Sequence, residues 1–233
     1  RQPGSSFEIA GPCLQLAHFR FEISRMRALK TLRKFGSRLQ GHPHREFMPW
    51  LETSSGPLGS GLSQACGMAI ADMMDNGRST DKMIYCLMSD GEHDEGNTWE
   101  AVMLASKERL HNLIAIVDRN NIQIDGYTES IMPLDDMAKK YESFNWHVQE
   151  VDGHNFEAMN TAIMKARAVY EKPSVIIART IPGKGVKEFE RDFRWHGNPP
   201  GLGPDDKIPK DKQAEVALNE LRTLGGKIRS EHQ

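Results

Sequence analysis

Three observations predict an α/β fold built on a parallel sheet. Short apolar runs at 83–88, 113–117, 146–151 and 174–178 have the length and composition of buried strands. Helical patterns of crossover length lie between them. Each run stops in a polar or glycine turn: Ser89-Asp90-Gly91, Asp118-Arg119-Asn120-Asn121, Asp152-Gly153-His154 and Arg179-Thr180. Parallel strands of this kind carry helices on both faces, and ligands gather outside their carboxyl ends.

The chain has 233 residues, enough for one large domain with a substantial core. Thirty basic residues against 32 acidic ones give a formal net charge of −2, which asks for no nucleic-acid or anionic-membrane partner. No apolar run has bilayer-spanning length, and the first residues, RQPGSSFEIAG, contain no signal-peptide core. Cys13, Cys66 and Cys86 are scattered without CxxC spacing and are expected to be reduced and buried in a cytoplasmic protein.

Taken in order, residues 1–24 carry loop signals at Pro3-Gly4-Ser5-Ser6 and Gly11-Pro12. A basic amphipathic helix is predicted over Arg25–Phe35, with Met26, Leu29, Leu32 and Phe35 at helical spacing. GSRLQGHP (36–43) is loop. Ser54 to Gly61 is a glycine-rich loop opening a helix over Leu62–Met74, whose Ala65, Gly67, Ala69 and Ala71 allow close helix packing. That loop lacks both GxGxxG after a strand and a P-loop lysine, so by itself it is not read as a nucleotide site. A helix over Asn97–Arg109 joins the first two strands. Another is predicted from Met132 to about Phe144. Asn155 caps a helix to Tyr170 with Phe156, Met159, Ile163, Ala166 and Val169 inward, and Lys172-Pro173 breaks it. Residues 181–204, rich in Gly and Pro, are too long for a plain connector and read as a functional loop. A charged surface helix is predicted at about Asp211–Leu224.

The chemistry concentrates on two turns. Asp90 and Asn120 stand thirty residues apart, room for one helix and one strand. If the strands are parallel, both turns open at one sheet edge. A carboxylate, a carboxamide and nearby carbonyls then form an all-oxygen set suited to a hard divalent cation that also holds phosphate oxygens. Each turn taken alone is equally an ordinary Asx turn.

Six segments together carry more. KFGSRLQGHP (34–43), TSSGPLGSGLSQACGMAIA (53–71), SDGEHDEGNTWEA (89–101), NLIAIVDRNNIQIDG (112–126), EVDGHN (150–155) and GKG…WHG (183–197) follow in order from about residue 25. In these the sequence resembles the thiamine-diphosphate-binding domain of transketolases, particularly the N-terminal subunit of the two-chain kind.

The resemblance implies the thiamine-diphosphate-binding fold over 25–204, after a truncated or divergent segment 1–24 and before a helical tail 205–233. It implies that Asp90, the Asn120 side chain and the Ile122 carbonyl hold Mg2+, with Ca2+ or Mn2+ as substitutes. Gly56, Pro57 and Leu58 would line the thiamine diphosphate site, Gly91 would admit the diphosphate, and Lys184 would supply a cationic contact. His196 would touch diphosphate and substrate, His42 would face substrate hydroxyls, and Glu95 would join a carboxylate network at a partner subunit. His18, His44, His93, His111, His147, His154 and His232 are read as structural. The implied reaction transfers a two-carbon ketol unit from a ketose phosphate to an aldose.

The sequence departs from the family pattern at four points, one being that the family's SGHPG segment, with another substrate histidine, has no counterpart in it. Ser89 replaces the first glycine of GDG, Ile9 falls where a diphosphate-binding histidine is expected, and Pro182 falls on a family lysine. The resemblance further implies that the glutamate activating the cofactor comes from a second, pyrimidine-domain chain, in a heterotetramer of two such pairs. Two other readings stay open: a non-catalytic scaffold or binding subunit, and the α subunit of a 2-oxoacid dehydrogenase.

Overall fold

The computed structural model describes residues 6–9, 30–49 and 51–223. In chain order these form β1 (Ser6–Ile9), α1 (Ser60–Asn76), β2 (Ile84–Ser89), a 3-10 turn (Gly91–Asp94), α2 (Gly96–Glu108) and β3 (Leu113–Arg119). The two-residue strands β4 (Ile122–Gln123) and β5 (Gly126–Tyr127), then α3 (Thr128–Ile131), α4 (Met137–Ser143), β6 (His147–Asp152) and α5 (Phe156–Arg167) follow. Last come β7 (Ser174–Arg179), a 3-10 turn (Phe193–Trp195) and α6 (Gln213–Thr223).

The main sheet has the order β1-β2-β3-β7-β6, and every described pairing in it is parallel. β4 and β5 form a separate antiparallel hairpin just beyond β3. β2, β3 and β7 are buried nearly throughout, as strands covered on both faces must be. One face packs Leu62, Ala65 and Ala69 of α1, Ala101, Val102 and Ala105 of α2, and Met137 and Tyr141 of α4 against the sheet. The other face packs Ala162 and Ala166 of α5 on Ile114 and Ile176. Helices therefore cover both faces, as the sequence predicts. Cys66 and Cys86 are buried free thiols, and burial pushes the Cys66 thiol up to about 12. Cys13 lies outside the described residues. Among those residues no helix is long and apolar enough to cross a membrane.

Four local expectations are corrected. Of the helix predicted at Arg25–Phe35, 25–29 lie outside the described residues and 30–35 are turns. The Lys34 amide bonds to Thr31, the Arg33 amide bonds to Leu39, and Phe35 is fully exposed. Arg33 adopts φ +62°, outside the right-handed helical region, so 30–35 do not continue a helix. The helix predicted from Met132 begins only at Met137, as α4, because Met132 before Pro133 is extended and Asp136 starts the helix by capping the Lys139 amide; α3, just before Met132, was not predicted. Asn155 caps α5 as predicted, accepting from Ala158 N at 3.0 Å, but Phe156 in its first turn is 85% exposed. In α1, Ala65 and Ala69 are buried whereas Gly67 and Ala71 face outward, half a turn away.

Candidate active site

Register decides which turns meet. Ser89 pairs with Asp118, Asp118 with Ala178, and Asp152 with Arg179, so the polar ends of β2, β3, β7 and β6 lie along one edge. The Asp90 amide continues the ladder by donating to Asp118 O at 3.2 Å. The Asp90 carboxylate then closes the gap: its Oδ2 accepts from the Asn121 amide at 2.6 Å. The two turns that spacing predicts side by side are in contact.

Each turn is held in shape by its own groups. Asp90 Oδ1 accepts from Gly91 N at 2.8 Å. A Cβ on Gly91 would lie 3.0 Å from the Gln123 side chain, so glycine keeps the turns close. Asn120 donates from Nδ2 to Asp118 and accepts on Oδ1 from Ile122 N at 3.0 Å, tying its carboxamide to the residue whose carbonyl is in question. Asn121 adopts φ +65°, a left-handed angle that asparagine tolerates better than most residues. The β4–β5 hairpin continues from it, with Thr128 N donating to Asn121 O. Ser89 has no positive φ, so its replacement of a family glycine costs no backbone strain.

Asp90 is almost wholly buried. Burial pushes its carboxyl up from the ordinary range, and the Asn121 and Gly91 amides and Arg119 oppose this. Arg119, itself buried, donates to Asp90 Oδ2 at 3.2 Å, to Thr128 Oγ1 at 3.0 Å and to Glu129 Oε1 at 2.5 Å. It was not among the residues the sequence singled out.

Glu92 is the second functional candidate that the sequence did not single out. Its buried carboxylate accepts from Gly59 N at 2.6 Å and from Ser89 N at 3.2 Å. It thereby clips the glycine-rich loop onto the end of β2, and Asn97 reinforces this by donating to Gly59 O. Burial raises its carboxyl too. At the other end of that loop a Cβ on Gly56 would meet the His42 ring at 2.9 Å. His42, Gly56, Gly59, Glu92, Ser89 and Asp90 therefore form one continuous chain of neighbours. Pro57 and Leu58 stand exposed on it.

The other predicted residues divide. His196 follows the Phe193–Trp195 turn, and Phe193 packs edge-on against Tyr127 of the β4–β5 hairpin at 5.4 Å. His196 is exposed there. Glu95 is an exposed residue at the start of α2. Lys184 lies elsewhere, on a cavity of about 730 Å³ between the 181–189 loop and α6, with His154, Phe189 and Leu221. Pro182 closes that loop, its carbonyl accepting from Arg191 N at 3.0 Å. Ile9 ends β1 opposite Leu87. His93 is a buried structural residue: Nδ1 faces the Ser89 and Asp90 carbonyls, Nε2 sits 2.8 Å from the Tyr141 hydroxyl, and burial lowers it to about 4.

Among the described residues no three His, Cys, Asp or Glu side chains converge. The buried Asp90 carboxylate, the Asn120 carboxamide and the Ile122 backbone lie on two touching turns, and oxygen donors of these kinds are those a hard divalent cation takes.

Residues 13–215 match the family model described as "Transketolase, thiamine diphosphate binding domain". The chain belongs to the transketolase family. It is 42% identical over 168 residues to the 6-deoxy-6-sulfo-D-fructose transketolase subunit SqwG of Clostridium sp. (strain MSTE9), covering 72% of this chain and 60% of that relative. It is 36% identical over 226 residues to an apulose-4-phosphate transketolase subunit of Phocaeicola vulgatus, covering 95% and 75%. The transketolase of Campylobacter jejuni superposes with a TM-score of 0.69 at 30% identity, covering 86% of this chain and 34% of that one. A Pichia stipitis transketolase in complex with xylulose 5-phosphate gives 0.73 at 27%, covering 95% and 36%. The chain thus spans 60% of the first relative and about a third of each of these solved transketolases.

Proposed function

We propose that this chain is the diphosphate- and Mg2+-binding half of a transketolase, working with a pyrimidine-domain partner to move a two-carbon ketol unit from a ketose phosphate to an aldose. The observation that carries this is the contact between the Asp90 carboxylate and the Asn121 amide, which joins two oxygen-rich turns at the carboxyl edge of a parallel sheet. Family membership and relatives named as transketolase subunits support it.

In this reading Asp90, Asn120 and the Ile122 carbonyl hold the cation, and Gly91 lets the backbone approach the diphosphate. Gly56, Pro57 and Leu58 line the cofactor, on a loop that Glu92 keeps in place. His196 reaches diphosphate and substrate from the far side, His42 takes substrate hydroxyls, and Glu95 faces the partner. Lys184 serves the cofactor only if its loop turns from the cavity it now lines. When bound, thiamine diphosphate supplies the nucleophilic carbon and the electron sink for carbon–carbon cleavage. The protein supplies orientation and proton transfer. Sugar phosphates, a heterotetramer and a cytoplasmic setting belong to the same proposal.

The test is calorimetry with thiamine diphosphate and Mg2+ on the chain copurified with the pyrimidine-domain chain expected in the neighbouring reading frame. Saturable binding that Asp90→Ala abolishes is expected. Unchanged affinity in that variant would mean that the metal lies elsewhere. No binding by the wild-type complex would favour the scaffold reading, which Ile9 and Pro182 motivate. With the chain in the transketolase family, no observation favours a 2-oxoacid dehydrogenase α subunit.

A further inference from the structure

We propose that Arg119 determines which divalent cation the Asp90 turn accepts, by occupying one of the two carboxylate oxygens. The proposal rests on the cation-binding reading above and assigns a role to a residue outside the ligand set.

The two Asp90 oxygens are unequally used. Oδ2 receives the Asn121 amide at 2.6 Å and the Arg119 guanidinium at 3.2 Å, two donors on an oxygen that offers about two acceptor sites. Oδ1 receives the Gly91 amide at 2.8 Å and retains a lone pair. A cation is therefore offered one oxygen of Asp90, not two.

Arg119 is fixed in this role from behind. Its side chain is 8% exposed and is held by Thr128 Oγ1 at 3.0 Å and Glu129 Oε1 at 2.5 Å, both on α3 beyond the hairpin. Glu129 also offsets the positive charge placed beside a cation site. The Asp90–Arg119–Glu129 row carries a net charge of −1 with all three ionised, the same as Asp90 alone. The guanidinium thus changes the geometry of the carboxylate more than the charge of the site.

One-oxygen carboxylate ligation matches Mg2+, which demands near-ideal octahedral geometry at short distance. Ca2+ takes six to eight oxygens and accepts two from one carboxylate. Emptying the Arg119 position returns a lone pair to Oδ2 and opens two-oxygen ligation.

The experiment titrates the complex of this chain and its pyrimidine-domain partner, saturated with thiamine diphosphate, with MgCl2 and separately with CaCl2 by calorimetry. Arg119→Met is expected to shift the ratio of the two affinities toward Ca2+ by about tenfold, while Arg119→Lys, which keeps a donor at Oδ2, stays within about threefold of wild type. Should Arg119→Met fail to fold, Arg119→Gln decides: it stays polar but is too short to carry a guanidinium to Asp90 Oδ2, and it is expected to move the ratio the same way by about tenfold. Equal weakening of both cations, or an unchanged ratio, is what a purely structural arginine would give and would overturn the proposal. Wild-type binding of neither cation would remove the cation-binding reading and this inference with it.

Discussion

At His93 the cost of burying a titratable group becomes a pH dependence. Burial lowers it from the usual histidine range to about 4, because the charged ring would lose water among Tyr141, Trp99 and the Ser89 carbonyl. The folded value lies below the unfolded one, so His93 contributes stability above about pH 6.5 that is lost as pH falls toward 4. That difference is worth roughly 3 kcal/mol. Asp90 and Glu92 act with the opposite sign: their raised values favour the folded state in acid, and that contribution is lost as pH rises above the ordinary carboxylate range. The expected outcome is that urea midpoints of wild type and His93→Gln diverge between pH 6.5 and 4, wild type losing stability faster on acidification. Parallel curves would show that His93 does not titrate on unfolding.

Among the elements, the loop from Ile181 to Asp192 closes against backbone that leaves no room for a side chain at Gly183. Gly183 has φ +74°, and a Cβ there would stand 2.7 Å from the Phe189 carbonyl oxygen, which is backbone and cannot swing away. Gly185 N donates to the Glu190 carboxylate, and Arg191 N returns to Pro182. Gly183→Ala is expected to cost about 1–3 kcal/mol and to open this loop first. Limited proteolysis would then cut within 181–192 while the sheet stays intact; resistance equal to wild type would contradict it. This loop holds Lys184 and leads to the Phe193–Trp195 turn, whose Phe193 packs against Tyr127 of the β4–β5 hairpin.

Across the whole molecule, β3 and β7 lie inside the sheet with helices on both faces, while β6 forms an edge with a half-exposed pattern. Opening them requires breaking two ladders and both hydrophobic layers. Their amides are expected to exchange slowest in native-state hydrogen exchange, and those of β6 measurably faster. Slowest exchange in β6 would contradict this view of where the core is anchored. The same arrangement explains the site: β7 returns between β3 and β6, which sets Thr180 to donate from its backbone to Arg119 O and from its hydroxyl to Asp118. The Asp118–Asn121 turn is thus braced from the neighbouring strand.

The sequence by itself determined the parallel α/β class, the positions of β2, β3, β6 and β7 and those of the long helices, but not β1 or the β4–β5 hairpin. Apolar runs bounded by polar turns admit few other arrangements. It also determined that the turns at Asp90 and Asn120 open together, since parallel strands bring equivalent ends to one edge. It misjudged residues 30–35 and Phe156, where periodicity marked positions that the fold leaves exposed at Phe35 and Phe156, and it started α4 too early, at Met132. Only the tertiary structure decided the roles of Glu92 and Arg119. Each is a charged residue in a polar turn, indistinguishable in sequence from the solvated charges beside it. What singles them out is contact with distant segments: Gly59 for Glu92, and Asp90, Thr128 and Glu129 for Arg119. Buried charges are selected by their partners, and partners that are far apart in the chain become visible only after folding.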